Sequence, residues 1–527
     1  MKSFFKYILA ATVFLSTSCG DDFLDSGPLD ELTDENFYRT PDQAYAALVG
    51  CYDGLQRAWA GSMSFPVASE VMSDNAFGGT GSSDGFGYQM IDEFDKNRSS
   101  ADQNMFNDMW VDYYRALYRC NVLLGKLDQV EWGTDTQLKT TYEAEARFLR
   151  AYMYFDMVRL WGNIPLITEP TNANVPQANP DEIYRVIAQD LEFAAANLPA
   201  TSYAAQPAAT HGRVTKWAAQ SLIARVYLYY TGYYGAGDLV GEVTREEALA
   251  YVEDVIANSG HGLLDDFAEL WPAASLDSYA GEDNRETVFG IKYTYTSDYD
   301  GNTDGNHWLV MYGMREQAVY PYGNGWGGGT VNPKLWNAYS ADDSRRGASI
   351  ISITHESIDF GNVSKQREYT GFYVKKYTPM VDQDGNSPVI EKGGVNFMIA
   401  QFQDYVSIRF ADVLLMAAEL GSPSAQDYLD QVRERANLSP VLATRENILK
   451  ERQLEFAFEG HRYWDLLRQG IDVAAATIAE QTQVLNGGTP VDKMIQAANI
   501  SATKGLQQIP YTQITLSNNV LKQNSGW

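Results

Sequence analysis

The chain has 527 residues, a formal net charge of −28 at neutral pH and an aromatic content of 13%, with 34 Tyr and 11 Trp. So acidic a surface repels polyanions, which excludes nucleic acid as an expected partner. Three cysteines in a chain this long rule out a disulfide-framed scaffold, and the length alone suffices to bury a core.

Lys2 and Lys6 precede an apolar run from Tyr7 to Leu15, and Ser16, Thr17 and Ser18 lead to Cys19. The run is shorter than the roughly 20 residues a membrane-spanning helix needs, so residues 1–18 read as a cleaved export signal. Cys19 stands where a bacterial lipobox cysteine is acylated; an ordinary signal peptide with an incidental cysteine is the alternative. The remaining cysteines, Cys51 and Cys120, are expected as buried thiols, with a single bridge as the alternative.

Helical periodicity follows. Thr40 before Pro41 marks the start of a helix to about Trp59, and further helices are expected from about Asn104 to Val130, Thr141 to Trp161, Asp181 to Leu198 and Arg445 to Gly460. Apolar stripes recur at Ala218, Leu222, Val226 and Tyr229, at Ile408, Ala411, Leu415 and Ala418, and at Ala425, Leu429, Val432 and Ala436. Helices paired through short connections give a mainly α, tetratricopeptide-like hairpin scaffold, although no clean 34-residue repeat is present. Between about 62–98 and 260–406, Gly, Asn, Asp and Tyr dominate, with short strand-like pieces such as Thr287 to Tyr293. The expectation is one domain over residues 19–527. Its helical scaffold, about 37–260 and 407–470, carries long loop-rich insertions.

Several segments, in this order, resemble the SusD/RagB family of surface lipoproteins. They include Glu145-Ala146-Arg147-Phe148-Leu149-Arg150-Ala151-Tyr152 with Leu160-Trp161-Gly162-Asn163-Ile164-Pro165, and Gly212-Arg213-Val214-Thr215-Lys216-Trp217. The likeness continues through Ile408 to Glu419, Glu451 to Phe456, Glu459 to Arg468, and the tail from Ile509-Pro510 to Trp527. Trp161 and Trp527 stand where the family often has tyrosine. The resemblance implies ligand capture without chemistry, anchoring through Cys19 on the outer face of the outer membrane, and a SusC-like TonB-dependent transporter as partner. The acidic Asp21, Asp22 and Asp25 after Cys19 fit surface exposure. An oligosaccharide or polysaccharide is the expected ligand, and a peptide, as in RagB-like importers, is the alternative.

The aromatic loop from His307 to Trp336 is the candidate ligand site, because sugar rings offer an apolar face to aromatic planes while nearby polar groups bind their hydroxyls. Trp326, within the glycine run, ranks first, followed by Trp308, Tyr320, Tyr322 and Tyr312; Trp336 opens a helix and is expected in the core. The family also draws ligand contacts from the region of Asp74, Asn75, Phe86 and Tyr88. Glu451, Glu455 and Glu459, spaced by four, raise the alternative of a glycoside hydrolase. The arginines among them favour an ion-paired seam instead, since they would hold the acids ionised. Arg147, Arg150, Arg213, Arg225 and Arg409 are expected to pin helices together. Asp298, Asp300, Asn302 and Asp304 alternate as calcium ligands can, yet Thr303 stands where an EF-hand needs glycine, and a solvated turn is expected. No zinc spacing, phosphate loop or nucleophile elbow is present, so no cofactor is expected.

Overall fold

The structure, a computed structural model, describes residues 37–527 except 62, 296–303 and 395. The export signal, Cys19, and the calcium candidates Asp298, Asp300 and Asn302 lie outside the described residues.

Four helix pairs build the scaffold. Helix α1 (Pro41–Ala60) packs on α2 (Asn107–Lys126), α3 (Thr136–Trp161) on α4 (Pro180–Asn197), α5 (Lys216–Tyr234) on α6 (Arg245–Asn258), and α7 (Phe410–Glu419) on α8 (Ala425–Arg435). Each pair also touches the next: α2 meets α3, α4 meets α5, and α6 meets α7. The result is the tetratricopeptide-like stack of hairpins expected from the apolar stripes. Thr40 caps α1 through a reciprocal box with Gln43, which fixes where that helix starts. Among the described residues, no helix is long and apolar enough to cross a membrane.

The long insertion leaves the helices at strand β1 (Thr287–Ile291) and returns at β2 (Tyr405–Arg409), which pair antiparallel from Thr287–Arg409 to Ile291–Tyr405. Strand β2 runs straight into α7, so the insertion is clamped to the scaffold at both ends. After α9 (Arg445–Glu455), a hairpin of β3 (Glu480–Asn486) and β4 (Thr489–Ile495) packs back toward the loops. One hydrophobic cluster unites Ala44 of α1, Trp308 and Val331 of the insertion, and Ile509 near the C-terminus.

Arginines fasten the layers as the sequence implied. Arg150 forms a two-pronged bridge to Asp190 at 2.8 and 2.9 Å, joining α3 to α4. Arg213 holds Glu145, and Arg225 ties α5 to Asp412 of α7 at 2.6 Å. Arg147 bridges Glu143 and Asp190.

The three glutamates do not share a helical face. Helix α9 ends at Glu455, because Phe458 and Gly460 adopt left-handed backbone with φ of 67° and 74° and turn the chain away. All three are buried among cations. Glu455 meets Arg345, Arg409 and Arg435; Glu459 meets Arg409 and Lys376; Glu451 meets Arg345 and Arg433. Burial alone would raise the Glu455 carboxyl, yet Arg435, Arg409 and Arg345 hold it well below the usual carboxylate range. An acid kept ionised and shut from solvent cannot protonate a leaving group, so this cluster is a structural hub.

Cys51 and Cys120 are free, buried thiols facing each other between α1 and α2. The Asp304 carbonyl accepts from Gln56 Nε2 at 3.0 Å and from Thr294 N at 2.9 Å. Among the described residues, no group of three or more His, Cys, Asp or Glu is arranged to hold a metal.

Candidate functional site

The two loop-rich stretches meet. Residues 75–80 run antiparallel to 327–332: Thr80 N donates to Gly327 O at 2.9 Å, Gly329 N to Gly78 O at 3.1 Å, Phe77 N to Thr330 O at 2.8 Å, and Asn332 N to Asn75 O at 2.9 Å. Glycine makes this approach feasible. Gly327 has a φ of +70°, and a Cβ there would run into the Gln366 side chain. Gln366 Nε2 in turn donates to Thr80 O at 2.9 Å and Gly327 O at 2.7 Å, stitching both strands of the ribbon to the insertion.

Beneath the ribbon lies a buried charge cluster. Lys493 of β4 meets Asp92 at 2.7 Å, Glu368 at 2.8 Å and Glu93 at 2.9 Å. Burial works against its charge, but the three carboxylates prevail and hold its ammonium well above the usual lysine range. The same carboxylates reach the ribbon: Asp92 accepts from Gly78 N at 2.7 Å and Glu368 from Gly79 N at 2.9 Å. The hairpin at the far end of the chain therefore sets the backbone from which the site is built.

On this ribbon opens a cleft of about 540 Å³, lined by Trp326 and Tyr88, with Met105 and Met311 as apolar wall and Asp84, Asp102 and Arg315 as polar groups. Trp326 is half-buried and stands edge-on to His307 at 5.0 Å. Its backbone N donates to Val310 O at 2.9 Å and its carbonyl accepts from Arg315 at 3.2 Å, so the ring sits on a fixed base. Tyr88 OH donates to Met311 Sδ at 3.3 Å. Arg315 lies 3.4 Å from Asp84 and 3.1 Å from Glu316, while its buried Nε has no acceptor among the described residues. Two aromatic rings, an apolar wall and a few convergent polar groups suit a ligand with both a flat apolar face and hydroxyls.

Of the residues nominated from sequence, this cleft unites Trp326 and Tyr88. The others serve elsewhere. Trp308 is 0% exposed, wedged among Tyr312, Tyr377 and Tyr405, with its Nε1 pointing at Tyr293 OH, so no ligand can stack on it. Tyr312 is equally buried. Tyr322 belongs to a separate small core, where its hydroxyl donates to Glu356 at 2.5 Å. Tyr320 is 46% exposed but does not line the cleft. Asp74 is engaged by Arg462 at 2.7 and 2.9 Å, and Asn75 by Glu70 at 3.1 Å and by Gln453; both are internal fasteners. Phe86 lies beside the cleft, with the Arg367 and Arg98 guanidinia at 4.0 and 4.6 Å from its ring centre. Trp336 stacks on Phe372 at 5.0 Å against the core.

Sequence reading missed Arg315, Asp84, Asp102 and Met105. Arg315 and Asp84 lay inside the two flagged stretches. Asp102 and Met105 fall just beyond the first stretch, and nothing local distinguishes them.

Fold and cleft together define a helical-repeat scaffold whose inserted loops form a cleft. A family model described as the SusD family matches residues 356–527, and a second, described as starch-binding associating with outer membrane, matches residues 52–228. A SusD-like protein of Bacteroides ovatus is 26% identical over 87% of this chain and 81% of its own. The SusD-like protein P2 of Formosa agariphila is 26% identical over 88% and 90%. Among solved structures, a laminarin binding SusD-like protein superposes with a TM-score of 0.73 at 28% identity, covering 93% of this chain and all 100% of its own. Surface glycan-binding protein A from Bacteroides fluxus does so with a TM-score of 0.76 at 26% identity and the same coverage. The chain belongs to the SusD/RagB family.

Proposed function

We propose that this protein is a cell-surface glycan-capture lipoprotein, anchored in the outer membrane through Cys19, that holds a neutral oligosaccharide or polysaccharide in the Trp326 cleft and passes it to a SusC-like TonB-dependent transporter. The observation that carries the reading is the meeting of Trp326 and Tyr88 in one cleft beside Asp84, Asp102 and Arg315. Aromatic faces stack on sugar C–H faces, and the carboxylates accept from hydroxyls. The lining carries two carboxylates against one guanidinium that is already paired, on a chain of charge −28, which favours neutral over anionic sugars. The names of two similar structures, one laminarin-binding and one surface glycan-binding, support the same ligand class.

The test is calorimetric titration of the soluble protein from residue 20 onward with a panel of neutral and anionic polysaccharides and with peptides, followed by product analysis. Saturable binding of a neutral glycan recovered intact is the expected result. Hydrolysed product, or binding confined to peptides, would overturn the reading.

A further inference from the structure

A second cavity, of about 600 Å³, runs along one face of α2. Its floor is Trp110, Tyr114 and Tyr118, spaced by four residues, with Arg115 and Arg119 one position further round at each turn. That spacing sets three rings in a row over about 12 Å of helix. Trp110 leans on Trp161 at 4.9 Å and on Tyr114 at 5.2 Å, and the Tyr114 hydroxyl is tied to Pro165 O at 2.9 Å, so the inner two rings are fixed. Tyr118 is 52% exposed. The walls are Ile167 and Gln513, and the short helix Tyr511–Leu516 that supplies Gln513 also leaves Tyr511 57% exposed. Of this row Tyr118 is exposed and Tyr114 half-buried, while Trp110 is buried beneath them at 4% exposure, and no part of the Trp326 cleft uses it.

Two features indicate what occupies it. The first is charge: Arg119 is paired with Asp53 and Arg115 with Asp112 at 3.1 Å, so the groove offers no free cation to an acidic partner, while further guanidinium N–H groups and the Gln513 amide remain able to meet hydroxyls. The second is continuity with the cleft already described. Asp102 and Met105 line that cleft, and the segment 102–107 beginning there leads into α2. The C-terminal segment is fastened along the same ridge: Gln508 Nε2 donates to Asp102 O at 3.3 Å, Tyr511 N to Gln103 O at 3.2 Å, and Gln513 Nε2 to Asn107 Oδ1 at 2.9 Å. The ridge that borders the first cleft therefore leads directly to the second groove.

We infer that the aromatic groove of α2 is a second glycan-binding site, which holds a further stretch of the same neutral polysaccharide chain whose first stretch lies on Trp326. The inference rests on the glycan reading of the cleft. Two sites on one continuous ligand act by raising the local concentration of the second segment, so long chains gain affinity that short fragments do not.

Laminarihexaose and laminarin serve as short and long probes in calorimetry on the protein from residue 20 onward; if another neutral polysaccharide of the panel binds instead, it and its hexasaccharide replace them. The variants are Tyr118→Ala, whose exposed ring leaves the core untouched, and Trp326→Ala. Loss of one stacking ring corresponds to about five-fold in affinity. Tyr118→Ala is expected to weaken polysaccharide binding by about that factor or more while leaving hexasaccharide binding and the unfolding midpoint unchanged. Equal polysaccharide affinity in Tyr118→Ala and wild type, with binding lost in Trp326→Ala, overturns the second site and leaves the first. Unchanged glycan affinity in Tyr118→Ala together with weakened association with a barrel transporter would make the groove a protein-docking face and also overturn the inference. Failure of wild type to bind any neutral glycan would bring down the reading of the cleft and the inference with it.

Discussion

Replacing Lys493 with methionine tests whether the buried cluster under the ribbon sets the binding cleft. Met keeps most of the side-chain volume and removes the charge, leaving Asp92, Glu93 and Glu368 facing one another with Lys493 Nζ gone from 2.7–2.9 Å. Breaking a buried ion pair on one side costs about 3–5 kcal/mol, because the remaining charge is neither solvated nor paired. Three acids share this lysine, and uptake of a proton by one of them relieves part of the cost, so the loss should sit at the lower end near pH 5 and grow toward pH 8. The sign follows from the folded state. Orphaned acids there have raised pKa values, so the stability they retain at low pH is lost as pH rises through those values. Urea unfolding of wild type and Lys493→Met at pH 5 and pH 8 measures both effects. Because Asp92 and Glu368 also accept from Gly78 and Gly79, glycan affinity should fall in the variant even where it remains folded. An unchanged urea midpoint at both pH values, or a loss that shrinks as pH rises, would refute this reasoning.

Other outcomes follow from the same geometry. Burial pushes the Glu70 carboxyl up to about 7 against the contacts from Asn75 and Gly460. Its stabilising contribution is full below the unfolded value near 4.5 and is lost as pH rises through 7, so wild type should lose on the order of 3 kcal/mol relative to Glu70→Gln between pH 4 and pH 8; parallel stability curves would contradict this. Trp308→Ala should destabilise the fold by about 3–5 kcal/mol in chemical unfolding, as large aromatic deletions in a core do, whereas Trp326→Ala should leave the unfolding midpoint nearly unchanged. In native protein Cys51 and Cys120 should resist a thiol reagent and react at once in urea; fast labelling without denaturant would show that the interface of α1 and α2 opens.

Periodicity carried most of the scaffold into the sequence reading. Apolar residues at steps of three and four located α3, α5, α7 and α8 within a few residues, because burial of one helical face is a local pattern, and Thr40 before Pro41 located the start of α1. The end of α9 was not legible in the same way, since Phe458 adopts left-handed backbone that no propensity foretells. The cleft was half legible. The glycine run marked Trp326 because close backbone approach needs glycine, and that approach brought in Tyr88. Trp308 looked equivalent in composition, yet it is followed by the buried helical turn Leu309–Tyr312 and turned into the core. Asp74 and Asn75 read as ligand groups for want of their partners Arg462, Gln453 and Glu70; Arg462 and Gln453 lie nearly four hundred residues away. Long-range pairing of this kind, like the reach of Lys493 under the ribbon, is a property of the fold and leaves no local signature.

The most direct test of glycan capture at this cleft is the affinity of Trp326→Ala for the neutral polysaccharide that wild type binds best, measured beside its unfolding midpoint. Removal of one stacking plane should weaken binding by about five-fold or more with the midpoint unchanged. Wild-type affinity in a folded Trp326→Ala protein would contradict the assignment.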